Sequence, residues 1–286
     1  VIDLEPHHHA ENYARVDVSE FRQLERLFTG GGWDRGYLNT PRKFDIVFHL
    51  AAEFGRWNGE DYYETLWKTN AIGTKNILKM QEKEGFKAVY FSTSEVYGDF
   101  QDVMVETVMD ECEVKQMNDY ALSKWVNEQQ VMNSAVMTGT ESVRVRLFNS
   151  YGPGEYYGPY RSVICLFAYR ALKNIPFVVY KNHTRTSIYI SDVVRSLANI
   201  TNNFKPGEVY NIGGEDYHDI ETISNKIFSY LGKDDSLVDY RESEILTTKK
   251  KKVDSSKAIA DLGHKISVNL DEGIANTLEW MKKVYC

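Results

Sequence analysis

Between residues 44 and 148 the chain keeps changing its period. Apolar runs of strand length at 44–50, 86–92 and 142–148 are separated by helical stretches over about 61–84 and 119–138. A strand followed by a crossover this long cannot return as a hairpin, so the strands must run parallel with helices packed on both faces. This alternation predicts an α/β fold built on a doubly wound parallel sheet.

The flanks extend the pattern. Ile2-Asp3 looks like a strand end, and 13–18 like a short strand. Ser19 is placed to cap a helix that presents Phe21, Leu24, Leu27 and Phe28 on one face. Gly30-Gly31-Gly32 ends that helix, a polar loop runs to about Pro41, and Gly85 closes the helical stretch before the 86–92 strand. After Asn149 comes a long Gly/Pro/Tyr loop, 150–160. Shorter elements follow: helices near 161–173, 191–202, 219–231, 254–262 and 271–283, and strands near 177–180, 186–190 and 208–212. This predicts a doubly wound domain over 1–160, taken below as the NAD-binding one, and a smaller α/β domain over 161–286, read as the substrate domain, with part of 186–212 returning to the first.

Composition narrows the function. A length of 286 residues with 42% hydrophobic content supports one large or two modest cores. A net charge of −7 argues against a nucleic-acid surface. No run is long and apolar enough to span a bilayer, and no signal peptide is visible. Cys112, Cys165 and Cys286 are far apart, without metal-ligand spacing, which fits a reducing, cytoplasmic setting. His7-His8-His9 reads as a surface loop, and the run 249–252, four consecutive lysines, as a solvated loop.

Tyr120 and Lys124 carry the chemistry. Four residues apart on a helix, they share a face one turn apart. For a tyrosine to act as a base near neutral pH, its pKa must fall by roughly 3 units, about 4 kcal/mol. An ammonium at about 4 Å supplies roughly that much at an effective dielectric of about 20. The spacing also arises by chance in a chain with 19 tyrosines. The strand before it adds weight: 86–92 ends in Ser92-Thr93-Ser94-Glu95-Val96-Tyr97-Gly98, which puts hydroxyls and a carboxylate at a strand's C-terminal end, where open α/β sheets bind ligands. The plainer reading is a hydrogen-bonded turn.

The Gly-rich turn that takes a dinucleotide pyrophosphate in such folds is missing from the sequence; Gly30 to Gly32 sits at a helix end instead. The chain opens on what reads as the second strand, with Asp3 at its tip. There an acidic residue would bond the adenine ribose and favour NAD over NADP, or else simply cap a turn. The absent strand would be central, leaving a gap of about 10 Å in the sheet. We therefore expect the natural protein to carry about 25–30 residues before Val1.

Taken together, these residues resemble the extended short-chain dehydrogenase/reductases, specifically the NAD-dependent nucleotide-sugar epimerase/dehydratase/decarboxylase family with its Rossmann-type domain. The resemblance runs from Val1 to near Tyr285. Phe48-His49-Leu50-Ala51-Ala52 is similar to the segment beside the cofactor, Asp17-Val18 to the pair near the adenine, and Asn70 through Leu78 to the family's helix. Arg146 through Pro153 resembles the turn where an Asn, here Asn149, approaches the sugar diphosphate. Arg185 through Asp192 resembles the segment whose Arg meets that diphosphate, and Val209 through Gly213 and Asp254 through Gly263 resemble the closing elements.

The resemblance implies NAD held by Asp3, Asp17, Val18, Leu50, Ala51, Ala52, Tyr120 and Lys124. It implies that Tyr120 takes the proton of the sugar 4-hydroxyl while hydride leaves C4, that Lys124 lowers the tyrosine pKa, and that Thr93 positions the oxygen. Ser94, Asn149, Arg161 and Arg185 are the substrate-binding candidates; Arg suits bidentate contacts to a diphosphate. His183, Arg241 and Glu53 are weaker ones, each equally readable as surface or loop. No metal is expected.

The step after the 4-keto sugar turns on Thr93-Ser94-Glu95. Deoxythymidine-diphosphate-glucose dehydratases carry Asp where Ser94 stands, a departure here, whereas guanosine-diphosphate-mannose dehydratases and uridine-diphosphate-glucuronate decarboxylases resemble this stretch. Glu95 as a C5 base favours dehydration or epimerisation by C5 proton removal. Decarboxylation of a nucleotide-linked glucuronate, 4-epimerisation and simple C4 dehydrogenation stay open, as does a non-catalytic dinucleotide-binding scaffold. The family resemblance also implies a homodimer through the helices near 61–84 and 119–138, with Trp67, Met80, Trp125, Val126 and Met132 as apolar contacts.

Overall fold

A computed structural model of the chain describes residues 2–3, 13–30 and 43–286. The histidine run, Gly31-Gly32 and the loop to Pro41 lie outside the described residues. The fold is α/β with mostly parallel pairing, a Rossmann-like architecture. The chain forms two compact units: residues 1–92, 119–145 and 205–208 make the first, and 93–118, 146–204 and 209–286 the second. These units divide the chain at other points than 160. Residues 93–118 group with the second unit because Val103–Met104 pairs with the late strand Lys250–Val253. Of the stretch 186–212, only 205–208 falls in the first unit.

In the first unit, the strands Ile46–His49 and Lys87–Thr93 pair in parallel, Val47 opposite Ala88 and His49 opposite Tyr90. Ser142–Leu147 is the next strand of that sheet. Ile2–Asp3 and Ala14–Arg15 form a separate parallel pair. Leu24, Leu27 and Phe28 of the helix Phe21–Thr29 are buried against Ile77, Leu78, Met80 and Phe86. Phe21 is exposed and Ser19 does not cap this helix. The N-cap is Glu20, without a side-chain bond, and the Ser19 hydroxyl donates to Asp17 Oδ1 at 2.7 Å. Gly30, at φ 73°, ends the helix in the left-handed conformation.

The helical stretch expected at 61–84 is segmented: Arg56–Asp61, Tyr63–Trp67, a π-helical turn Lys68–Ile72, and Gly73–Glu84. Glycine is needed at 73, since a Cβ there would stand 2.8 Å from Val18 Cγ2. That close approach lets the Asn76 side chain bond the Val18 and Ser19 carbonyls at 2.9 and 3.0 Å. The tyrosine helix spans Asp119–Thr138, buried along Ala121, Lys124, Glu128 and Val131.

In the second unit, a four-stranded sheet runs in the order Tyr217–Asp219, Thr184–Thr186, Lys250–Val253 and Val103–Met104. Its core packs the helices Val163–Lys173, Ile220–Leu231 and Leu270–Tyr285 through Ile164, Phe167, Ile223, Phe228, Leu278 and Met281. Lys250–Val253 corrects the expectation of a solvated loop. It is a strand between two neighbours, and Lys251 is only 1% exposed.

Candidate active site

The cofactor candidates all fall in the first unit. Asp3 is exposed at the end of its short strand. The Asp17 carboxylate accepts from both the backbone and the hydroxyl of Ser19, which fixes its direction. Val18 is buried and pinned through its carbonyl by Asn76. Leu50 is exposed, and Ala51 and Ala52 are half-buried where the chain leaves the strand Ile46–His49. Small side chains at that exit leave backbone within reach of a flat ligand. An exposed acid, a fixed acid and a buried ammonium in one unit suit the polar groups of a dinucleotide.

Lys124 is buried, and its Nζ donates to the Phe91 carbonyl at 3.1 Å. Burial brings its pKa down to about 8. At neutral pH such an amine is still charged by roughly tenfold over neutral. His49, also buried, is held neutral, its pKa lowered to about 3 by burial and by the Lys124 charge. Its Nε2 meets Thr74 Oγ1 at 3.1 Å. Tyr120, one turn from Lys124 on the same helix, is half-buried.

A hydrogen-bond relay that sequence reading missed sets the start of this helix. Asn70, with no exposed surface, donates to the Glu53 carbonyl and to Ser123 Oγ, both at 2.9 Å, and accepts from Glu53 N at 2.8 Å. Ser123 Oγ in turn donates to the Tyr120 carbonyl at 2.9 Å. Asn70 sits in the π-helical turn, an irregularity that often marks functional sites. The Glu53 carboxylate accepts from Asn58 at 2.9 Å. Deeper in the same helix, Glu128 takes the Ser92 hydroxyl at 2.5 Å and the Arg144 guanidinium at 3.4 Å.

The substrate-side candidates all fall in the second unit. Thr93 ends its strand and caps the 3-10 turn Ser94–Tyr97, its hydroxyl oxygen accepting from Glu95 N at 3.2 Å. The hydroxyl proton stays available to a ligand oxygen. Ser94 is 3% exposed. Gly98 follows at φ 49°, where a Cβ would strike the Lys115 carbonyl at 2.0 Å, so only glycine closes the turn. The Glu95 carboxylate forms an ion pair with the buried ammonium of Lys251.

Asn149, at φ 38°, donates from Nδ2 to the Thr186 carbonyl at 2.9 Å. Arg185 is buried, bonding the carbonyls of Thr184 and Lys249 at 2.9 and 3.0 Å and Thr247 Oγ1 at 3.2 Å. Arg161 is exposed just before the helix Val163–Lys173. His183 is buried and accepts from Glu244 N at 3.1 Å, while Arg241 is exposed and paired with Asp239. Among the described residues no group of His, Cys, Asp or Glu is arranged to hold a metal, and no helix is long and apolar enough to cross a membrane.

The model of the NAD-dependent epimerase/dehydratase family matches residues 13–213. The chain belongs to that family. Among curated relatives, it is 29% identical over 249 residues to the UDP-N-acetyl-α-D-glucosaminuronate decarboxylase of Bacillus cytotoxicus, covering 84% of this chain and 77% of that one. It is 24% identical to the dTDP-glucose 4,6-dehydratase of Salmonella typhimurium, covering 94% and 78%. Among solved structures, the UDP-glucose 4-epimerase of Thermotoga maritima with UDP-glucose superposes with a TM-score of 0.82 at 26% identity, covering 95% of this chain and 84% of that one. Membership makes the chain an NAD-dependent enzyme of the epimerase/dehydratase type.

Proposed function

We propose that the chain oxidises C4 of a nucleotide-diphosphate sugar and then removes the C5 proton, giving dehydration or epimerisation. The observation that carries this reading is the Asp119–Thr138 helix, which sets a half-buried Tyr120 one turn from a buried Lys124. Tyr120 takes the proton of the sugar 4-hydroxyl. Lys124, charged near neutral pH, favours the tyrosinate and stands ready for a ribose hydroxyl. Thr93 donates its remaining hydroxyl proton to the sugar oxygen. Bound NAD would accept the hydride from C4 and return it to the sugar at the end of the cycle. The resulting 4-keto group acidifies C5, and Glu95 takes that proton; in dehydration it passes to the C6 hydroxyl, which leaves as water, and in epimerisation a proton returns to the opposite face of C5. Asn149, Arg161 and Arg185 are assigned to the sugar diphosphate.

Decarboxylation is the second reading. It is favoured by the similarity to a glucuronate-type decarboxylase, and Ser94, where thymidine-linked dehydratases carry Asp, does not oppose it. A panel of nucleotide sugars in heavy water tests both. Deuterium at C5 supports the first reading, carbon dioxide release the second, and NAD binding with no turnover on any sugar rejects both in favour of a scaffold.

The protein is further inferred to be a cytoplasmic homodimer joined through its two long helical stretches. Ile72, Leu122, Val136 and Met137 are exposed there, whereas Met80, one of the contacts expected from sequence, is in the core of its own unit. Sedimentation equilibrium at micromolar concentration tests the dimer; a single protomer mass would reject it.

A further inference from the structure

A lysine that is 1% exposed is a costly thing to bury, and Lys251 is one of the larger wholly buried side chains of its unit. Nothing in the reaction as proposed requires it. Its strand explains how it gets inside: Lys250 and Lys252 are exposed while Lys251 faces inward, between Thr184–Thr186 and Val103–Met104. Backbone bonds hold it there. Its carbonyl accepts from Thr186 Oγ1 at 3.0 Å, and Thr248, three residues earlier, bonds the Gly98 carbonyl at the end of the Ser94–Tyr97 turn. The ammonium forms an ion pair with Glu95, whose side chain keeps 17% exposure.

We propose that Lys251 is a positioning residue that holds Glu95 ionised and aimed, so that Glu95 serves as a base for the C5 proton instead of as an acid. A contacting ammonium favours the carboxylate over the carboxylic acid. It also fixes the direction of the carboxylate. The backbone amide of Glu95 is tied to Thr93 Oγ1, so the group at the C4 oxygen and the group at C5 share one rigid turn clamped by Lys251. The inference rests on the C4-oxidation reading above and adds to it the residue that sets the protonation state of the second step.

The test compares wild type, Lys251→Met and Lys251→Arg on the same nucleotide sugar, following reduction of bound NAD and C5 exchange in heavy water from acid to neutral pH. The expected result is that Lys251→Met still reduces its NAD, while the acid limb of C5 exchange moves up by about one pH unit or more, a roughly tenfold loss on that limb. Lys251→Arg should keep the wild-type limb. C4 oxidation in all three proteins with an unmoved limb would overturn this proposal alone. A wild-type enzyme that never reduces its NAD with any nucleotide sugar would overturn the reading beneath it. If Lys251→Met folds poorly, adding Glu95→Gln removes the orphaned buried charge and should raise the unfolding midpoint again. A midpoint that stays depressed would overturn the pairing.

Discussion

The buried ammonium of Lys124 donates to the carbonyl of Phe91 at 3.1 Å. Burial lowers its pKa from 10.5 to about 8, so the folded state holds this proton less tightly than the unfolded chain does. Stability should therefore rise with pH between about 8 and 10.5 and carry a penalty of about 3 kcal/mol below that window. Replacing the lysine relieves the penalty and loses one charged hydrogen bond of about 1.5–3 kcal/mol. Lys124→Met is expected to be as stable as wild type or more so, by up to about 1.5 kcal/mol at neutral pH, and inactive. Urea melts at neutral and alkaline pH check this: the variant should lose the pH-dependent gain. A destabilised variant would mean the charge is compensated by the fold.

Asn70 is a different kind of buried polar group, one whose hydrogen bonds join the Glu53 loop to the tyrosine helix. Asn70→Ala strands the Glu53 amide and carbonyl, and should cost about 2–4 kcal/mol of stability. Because Ser123 bonds the Tyr120 carbonyl, turnover should fall more than NAD affinity. Denaturant melts and separate kcat and KM values measure the two effects. Equal losses in affinity and turnover would assign Asn70 to stability alone.

His49 sets an acid limit on the fold. Its pKa is lowered from 6.5 to about 3, so the unfolded chain binds the proton first. The stability it protects is complete above about pH 6.5 and is lost as pH falls toward 3, by up to about 1.4 kcal/mol per unit. His49→Gln should flatten the difference between stabilities measured near neutral pH and near pH 5. An unchanged slope in the variant would place the acid sensitivity elsewhere.

Much of this was legible in the sequence wherever side-chain chemistry and period agree. The tyrosine helix reads as 119–138 because its polar stripe and its ends are local, and it is found at Asp119–Thr138. The strand at 177–180 is found at Phe177–Tyr180, for the same reason. Lys250–Val253 was illegible because period-2 alternation needs two kinds of residue, and here the first three positions, outward and inward alike, are lysine. The Lys251–Glu95 pair joins residues far apart in the chain, so only the folded sheet reveals it. Ser19 has a cap's chemistry, but Asp17 two residues earlier competes for its hydroxyl.

The central claim is that Tyr120, activated by Lys124, begins the reaction by deprotonating the sugar 4-hydroxyl. Its most direct measurement is single-turnover reduction of NAD bound to the enzyme, by the absorbance of the reduced nicotinamide, with a nucleotide sugar carrying hydrogen or deuterium at C4. The account predicts transient reduction in wild type, slowed by deuterium, and reduction at least about a hundredfold slower in Tyr120→Phe with NAD still bound. Reduction at the wild-type rate in Tyr120→Phe, or turnover of the sugar without any reduction, would contradict it.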